Sequence, residues 1–245
     1  MIIVILLGGD KDVLPIPPLH QIVRISYEWF AGLPEGLKAL MLARAQQRAL
    51  ASGERLYARG EPTDGFFGVV KGSIRVSGIS VDQRETVLDF YGPGSWIGEV
   101  SMLDGLPRTH DANAHGDAIV LHIRSGDMEE LMAAHPELSR AVAALLALRL
   151  RILLMALEQY SVQSLEQRLA SRLLMLAGPY GVTAEKGIRI ELHLPQEILA
   201  QLIGATRQRV NQILKMWESE FILEQQYGRI LLLDQSKLES IIQPK

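Results

Sequence analysis

The sequence predicts an α+β chain in three parts: a β-rich roll or barrel, a long apolar helix, and a C-terminal helix pair closed by a β-hairpin. Three observations carry this. Residues 36–124 hold short apolar or alternating runs separated by turn residues. From residue 125 the apolar period becomes helical and stays so through 158. Finally, Pro195–Glu218, PQEILAQLIGATRQRVNQILKMWE, reads as two short amphipathic helices joined at a glycine.

Bulk properties narrow the classes. With 245 residues, 48% hydrophobic and 22% charged, the chain can fold as one large or two modest globular domains. It has no cysteine, which excludes disulfides, thiolate catalysis, Cys-bound zinc and iron–sulfur clusters. The apolar run Ile2–Leu7 is too short to span a bilayer, and no basic region precedes it. It reads as an interior strand or as a disordered or misassigned start, so the expected location is cytoplasmic. Net charge is −3, but it is uneven. Residues 1–158 carry 15 Lys and Arg against 19 Asp and Glu, whereas 159–245 carry 10 against 9. Any nucleic-acid binding must therefore rest on local geometry more than on a broad basic field.

The boundaries follow the composition. Residues 1–35 form an N-terminal extension of uncertain role. The β-rich part, 36–124, has expected strands at Glu54–Ala58, Gly65–Val70, Ser73–Gly78, Glu85–Tyr91, Ser95–Gly98 and Ala118–Ile123. Turn signals separate them at RGEPTDG, KGS, YGPGS and HGD.

In the helical region, 125–158, Leu138, Ala141, Leu145, Leu148, Ile152 and Met155 repeat in steps of three and four, as a coiled-coil seam does. Val142, Leu146, Leu150, Leu153 and Leu157 make a second stripe beside it. A helix apolar on two faces needs two neighbours. One is its own β-domain; the other is most economically the same helix of a second subunit, giving a homodimer through residues 136–157. A fully buried helix of a monomer is the alternative.

The C-terminal part, 159–245, starts with a helix at Leu165–Ala177 ending near Gly178-Pro179, then a strand at Ile188–Leu194. Ile198, Leu199, Leu202 and Ile203 share one face of the next helix, and Gly204 permits the turn. Thr206 is a suitable N-cap, after which Val210, Ile213, Leu214 and Trp217 form one stripe. Gln208, Asn211, Gln212 and Lys215 point away from it, flanked by Arg207 and Arg209, with no acidic residue before Glu218. Amides and cations of this kind read base edges and phosphates in a DNA major groove. Strands at Phe221–Gln225 and Arg229–Leu233, turning at Tyr227-Gly228, complete a winged helix-turn-helix, and Leu238–Ile242 is a short last helix.

The order of β-roll, long helix and winged helix-turn-helix resembles the catabolite-activator/FNR superfamily of bacterial transcription regulators over about residues 36–235. GEPTDGFFGVVKGSIRV (60–76) looks like the opening strands of a cyclic-nucleotide-binding roll, and IGEVSMLDGLPRTHDA (97–112) like its phosphate-binding cassette. The resemblance implies a short helix opening at Val100 whose amides face an anion. It implies Arg108 paired with a cyclic phosphate, helped by the Thr109 hydroxyl. Glu99 would accept from a ribose 2′-OH, and Gly98 would allow close backbone approach. The effector would be a cyclic nucleotide, cAMP or cGMP, with no other cofactor and no metal.

One departure bears on the ligand. Cyclic-AMP-responsive members carry Thr then Ser at mid-helix positions facing the base; counted from His135-Pro136, this chain has Leu153 and Leu154. Leucine cannot pair with an adenine amine, and burying that amine alone costs about 1–3 kcal/mol. A base held by stacking, a different ligand, or a constitutive dimer all stay open.

On the DNA side, Thr206-Arg207 matches the family's start of the recognition helix, with Arg207 as reader of a guanine. Gln208 stands for a common Glu and would suit adenine. Gln212 stands for a second family Arg, and Arg209 is placed for a phosphate. Implied partners are double-stranded DNA, a second copy of the chain and RNA polymerase, with no membrane. Competing readings are a regulator of the same fold that senses no nucleotide, an enzyme or carbohydrate binder on a cupin-like roll, and an adaptor using the apolar helix. His110, His115 and His122 lack a carboxylate partner pattern and read as solvated or core histidines. No Ser-His-Asp spacing, Walker loop or dinucleotide fingerprint is present, so no enzyme activity is expected.

Overall fold

The computed structural model describes Val23, Ser26 and residues 28–79 and 85–242; the Ile2–Leu7 run lies outside the described residues. Helix α1 (Glu35–Arg44) leads into β1 (Gln46–Leu50), β2 (Arg55–Tyr57), β3 (Gly65–Ile79), β4 (Glu85–Tyr91) and β5 (Trp96–Ile97). Then come α2 (Glu99–Asp104), β6 (Asp111–Arg124), α3 (Ser125–Ala134) and α4 (Pro136–Val162). All strand pairings are antiparallel, in the order β1-β6-β3-β4, with β2 also on β6 and β5 also on β3. This is the β-roll.

Several elements differ from the sequence reading, each for a local reason. Gly65–Val70 and Ser73–Gly78 form one long strand, because Lys71-Gly72 makes an irregularity in the β3–β6 ladder in place of the expected turn. The ladder shifts register on either side of Lys71, and β6 therefore runs from Asp111, well before Ala118. The helical region holds two helices, broken at His135 before Pro136, which disfavours helical backbone in the residue ahead of it.

The roll has two apolar clusters. Phe67, Ile74, Ala112 and Val120 fill the space between the sheet faces. Phe66, Trp96 and Ile123 pack instead against Met41 of α1, Met128 of α3 and Leu138, Val142 and Leu145 of α4. The indole N–H of Trp29 donates to the Ala141 carbonyl at 2.8 Å, a further tie to α4.

The last third comprises α5 (Leu165–Tyr180), β7 (Gly181–Ala184), β8 (Gly187–Ile190), α6 (Gln196–Ile203), α7 (Arg207–Ser219), β9 (Leu223–Gln226), β10 (Arg229–Leu232) and α8 (Gln235–Ile242). A capping box starts α5: Ser164 Oγ accepts from the Gln167 amide at 3.2 Å, and Gln167 Oε1 accepts from the Ser164 amide at 2.9 Å. The helix runs through Gly178 and Pro179 to Tyr180, one turn beyond expectation. Gly204, at φ 65°, makes the turn between α6 and α7. Strands β9 and β10 form the wing, in a sheet ordered β7-β8-β10-β9. The fold is α+β, with an antiparallel β-roll, a long helix and a helix-turn-helix with a small wing sheet.

Helix α4 serves both halves. The first stripe is spent inside the chain: Leu138 and Leu145 in the roll, Ile152 and Met155 against the winged unit's core. Leu150, Leu153, Leu154 and Leu157 are exposed, at 56–68%. No described helix is long and apolar enough to cross a membrane.

Candidate effector cavity and DNA-reading helix

A cavity of about 520 Å³ opens between the roll and α4, and also touches α5. Gly98, Glu99, Val100, Arg108 and Thr109 all line it, as does Leu153; Leu154 lies outside the lining, and both leucines are more than half exposed. One helical step separates the two leucines, and it turns the second away from the cavity.

Arg108 is 2% exposed. Its Nη1 donates to the Gly98 carbonyl at 3.1 Å, and its Nη2 to Asp64 Oδ1 at 2.8 Å and to the Gly65 carbonyl at 2.7 Å. The guanidinium lies 4.4 Å from the Tyr57 ring centroid and 5.5 Å from that of Phe67. Its Nε is buried without a protein partner. Gly98 has φ 99°, and a Cβ there would sit 2.5 Å from Arg108 Nη1, so this position excludes side chains twice over.

Glu99 opens α2 and is 4% exposed. Arg149 of α4 closes on it in an ion pair, donates to the Trp96 carbonyl at 2.6 Å, and stands 4.9 Å from the Tyr91 ring centroid. Burial acts to lower the Arg149 pKa, but the Glu99 carboxylate outweighs it and holds the guanidinium above its ordinary range. Burial pushes the Tyr91 hydroxyl up to about 12. The sequence reading missed Arg149. Its signal was a cation four residues after Leu145, on the same face of the helix as that leucine.

The histidines are dispersed. His110 Nδ1 lies 2.9 Å from Thr109 Oγ1, His122 stacks on Phe67, and His115 Nε2 is 2.7 Å from the His193 carbonyl.

On the second site, Thr206 caps α7 by accepting from the Arg209 amide at 3.3 Å. Val210, Ile213, Leu214 and Trp217 are buried, which leaves Arg207, Gln208, Arg209, Gln212 and Lys215 exposed. Arg209 Nη1 donates to Gln212 Oε1 at 3.0 Å. Asn211 is turned inward: its Oδ1 accepts from Gln196 Nε2 at 3.0 Å. Gln196 also reaches Gln225, which is held in turn by Glu218, so a polar chain locks α6, α7 and the wing together.

Residues 47–135 match the cyclic nucleotide-binding domain family, and residues 167–241 the Crp-like helix-turn-helix domain. The chain belongs to the Crp/Fnr family of transcription regulators. It is a Crp-like DNA-binding regulator with a cyclic-nucleotide-binding-type domain, and not an enzyme. The chain is 28% identical over 209 residues to the CRP-like cAMP-activated global transcriptional regulator of Mycobacterium tuberculosis, covering 85% of this chain and 93% of that one. It is 27% identical to the cyclic AMP receptor protein of Thermus thermophilus, over 86% of this chain and 95% of the relative. Among solved structures, FixK2 from Bradyrhizobium japonicum aligns with a TM-score of 0.73 at 19% identity, over 82% and 98% of the two chains, a likeness of fold. A transcriptional regulator of the CRP family from Thermus thermophilus aligns at 0.68 with 26% identity, over 80% and 96%.

Proposed function

We propose that this Crp/Fnr regulator is a cytoplasmic homodimer whose roll binds a cyclic nucleotide and thereby repositions two recognition helices on DNA. The observation that carries the reading is Arg108: a buried, permanently charged guanidinium at the cavity, with an unpartnered Nε. A cyclic phosphate supplies an acceptor for the Nε that Asp64 and the two carbonyls leave unpaired, and Thr109 adds a hydroxyl. Glu99, held by Arg149, presents an acceptor for a ribose hydroxyl. The relatives named for cAMP support an effector of this class. Leu153 supplies an apolar wall for the base, which favours stacking over hydrogen bonding along this helix.

The dimer face is the outward stripe of α4. Leu150, Leu154 and Leu157 follow steps of four and three, and burying them offsets the cost of ordering two subunits. The stripe with seam-like spacing is taken up by the chain itself, as are Val142 and Leu146 of the second, so the interface lies at the exposed Leu150, Leu154 and Leu157. Paired recognition helices then address two half-sites about 34 Å apart, with Arg207 on a base edge and Arg209 on phosphate. RNA polymerase is the further partner that the regulatory role implies.

Calorimetric titration of the full chain with cAMP and with cGMP tests the reading, with Arg108→Ala as control. Saturable binding lost in the variant supports it. Equal binding by the variant, or no binding of either nucleotide to the wild type, contradicts it.

A further inference from the structure

Strand β4 is the wall between the effector cavity and the winged unit. Its pairing with β3 slips between Val76 and Ser77: Val76 faces Asp89 and Ser77 faces Val87, leaving Leu88 as the extra residue of a bulge. The bulge resets the alternation of side chains. Val87 and Phe90 both enter the apolar core shared with the winged unit, while Leu88, Asp89 and Tyr91 line the cavity.

On the cavity side Asp89 meets a residue of the winged unit. Arg172 of α5 places Nη2 3.3 Å from Asp89 Oδ1, and the same nitrogen donates to the Leu88 carbonyl. Arg172 lines the cavity as well, and its Nε is buried without a partner. One guanidinium therefore ties the winged unit to the roll from inside the effector cavity.

An ionised carboxylate only accepts hydrogen bonds, so a ligand group that satisfies it must carry N–H or O–H donors. Burial pushes the Asp89 carboxyl up; Arg172 opposes that shift, as do the Phe90 amide, which donates to Oδ1 at 2.9 Å, and Arg149, and the rest of the carboxylate is left to Arg172 or to a donor that replaces it. A ligand donor can take the place of Arg172.

We propose that Asp89 is a second, specificity-determining contact for the effector, accepting from an N–H edge of the base, and that the base takes Asp89 by displacing Arg172. This rests on the cyclic-nucleotide reading of the cavity. It adds a reader of the base that does not lie on α4, where Leu153 and Leu154 have nothing to offer. It also gives the ligand a direct hold on the winged unit, because the tie it replaces is an interdomain one.

The test uses three nucleotides with the full chain: cAMP, cGMP and purine riboside 3′,5′-cyclic monophosphate, whose base carries no N–H donor. The expected result is that at least one amino-bearing nucleotide binds the wild type tenfold or so more tightly than the unsubstituted one, the scale of one hydrogen bond to a charged group. Asp89→Ala erases that margin. Arg172→Met removes the competitor and tightens the amino-bearing nucleotide, a gain that a misfolded variant cannot produce. A margin that persists in Asp89→Ala, or an Arg172→Met variant that weakens all three alike, overturns the proposal and leaves Asp89 and Arg172 as a structural tie. Failure of all three to bind the wild type overturns the cyclic-nucleotide reading itself and this inference with it.

Discussion

Glu99 at the start of α2 and Arg149 in the middle of α4 form an ion pair across the wall of the cavity, and Tyr91 lies against the guanidinium. The long helix is thereby fastened to the start of α2 by one charged contact. Removing Arg149 leaves a carboxylate 4% exposed with no cation. Arg149→Met should lower the unfolding free energy by about 3 kcal/mol, the lower end for breaking a buried pair, because Arg149 keeps some solvent access. The double variant with Glu99→Gln should recover most of that loss. Urea unfolding of the four proteins in a double-mutant cycle measures it; an additive cycle would refute the coupling.

Gly98 leaves no room for a side chain beside Arg108. Gly98→Ala places a Cβ in a left-handed conformation and 2.5 Å from Arg108 Nη1. The backbone term alone should cost about 1–3 kcal/mol, and the arginine must move out of its seat. The melting temperature should fall and nucleotide binding with it. A variant that binds as the wild type does would show that Arg108 has no fixed role.

On the recognition helix, Arg207 and Asn211 should behave differently although they share its exposed-looking side. Arg207→Ala should weaken binding to a specific site by about 1–3 kcal/mol and relax preference at one base pair. Asn211→Ala breaks the contact with Gln196 and should lower the winged unit's stability by about 1 kcal/mol, with a smaller effect on DNA affinity. Fluorescence anisotropy at fixed salt, beside thermal melts, separates the two. Equal losses of affinity at unchanged stability would place Asn211 on the DNA.

In the proposed dimer the outward stripe of α4 is the interface. Leu154→Glu, at a residue 57% exposed in the single chain, should leave the fold intact and shift sedimentation equilibrium at micromolar concentration to the monomer. A dimer that survives this change, and the same change at Leu157, must use another surface.

Much of this molecule was legible because apolar spacing is a strong signal where one face is buried. Strand β4 is read to the residue at Glu85–Tyr91, and the helix-turn-helix from Ile203, Gly204 and Thr206. What was not legible depended on partners distant in sequence. Two apolar stripes on α4 could not be assigned to inside and outside, since Ile152 and Met155 find their cover in α5 and the winged core. The single long β3 hid behind Lys71-Gly72, whose composition fits both a turn and a bulge. In the cavity, Arg108, Glu99 and Thr109 came from a local motif. Arg149, Asp89 and Arg172 reach it from other elements, as Asp64 reaches Arg108, and no local spacing announces them. Asn211 looks exposed on its helix until Gln196 claims it.

His115 links the roll to the winged unit through the His193 carbonyl, and its pKa is lowered, chiefly by burial. A histidine depressed in the folded state favours folding while it is neutral. Its contribution is present above the unfolded value of about 6.5 and is lost as pH falls below that value toward the folded one. Urea unfolding between about pH 7.5 and 5.5, which brackets that value, should show stability falling with acidity. His115→Gln should flatten that slope. An unchanged slope would assign the pH dependence to other groups.

A ligand at Arg108 is expected to govern the paired recognition helices. The most direct measurement is the affinity of the full chain for a two-fold DNA site, selected by the protein from a random pool, with and without saturating cAMP or cGMP. One of the two nucleotides should change the affinity by about fivefold or more, within the ordinary range of allosteric coupling, and Arg108→Ala should abolish the change. Affinity unaffected by either nucleotide would contradict this and leave a DNA-binding dimer whose roll serves another purpose.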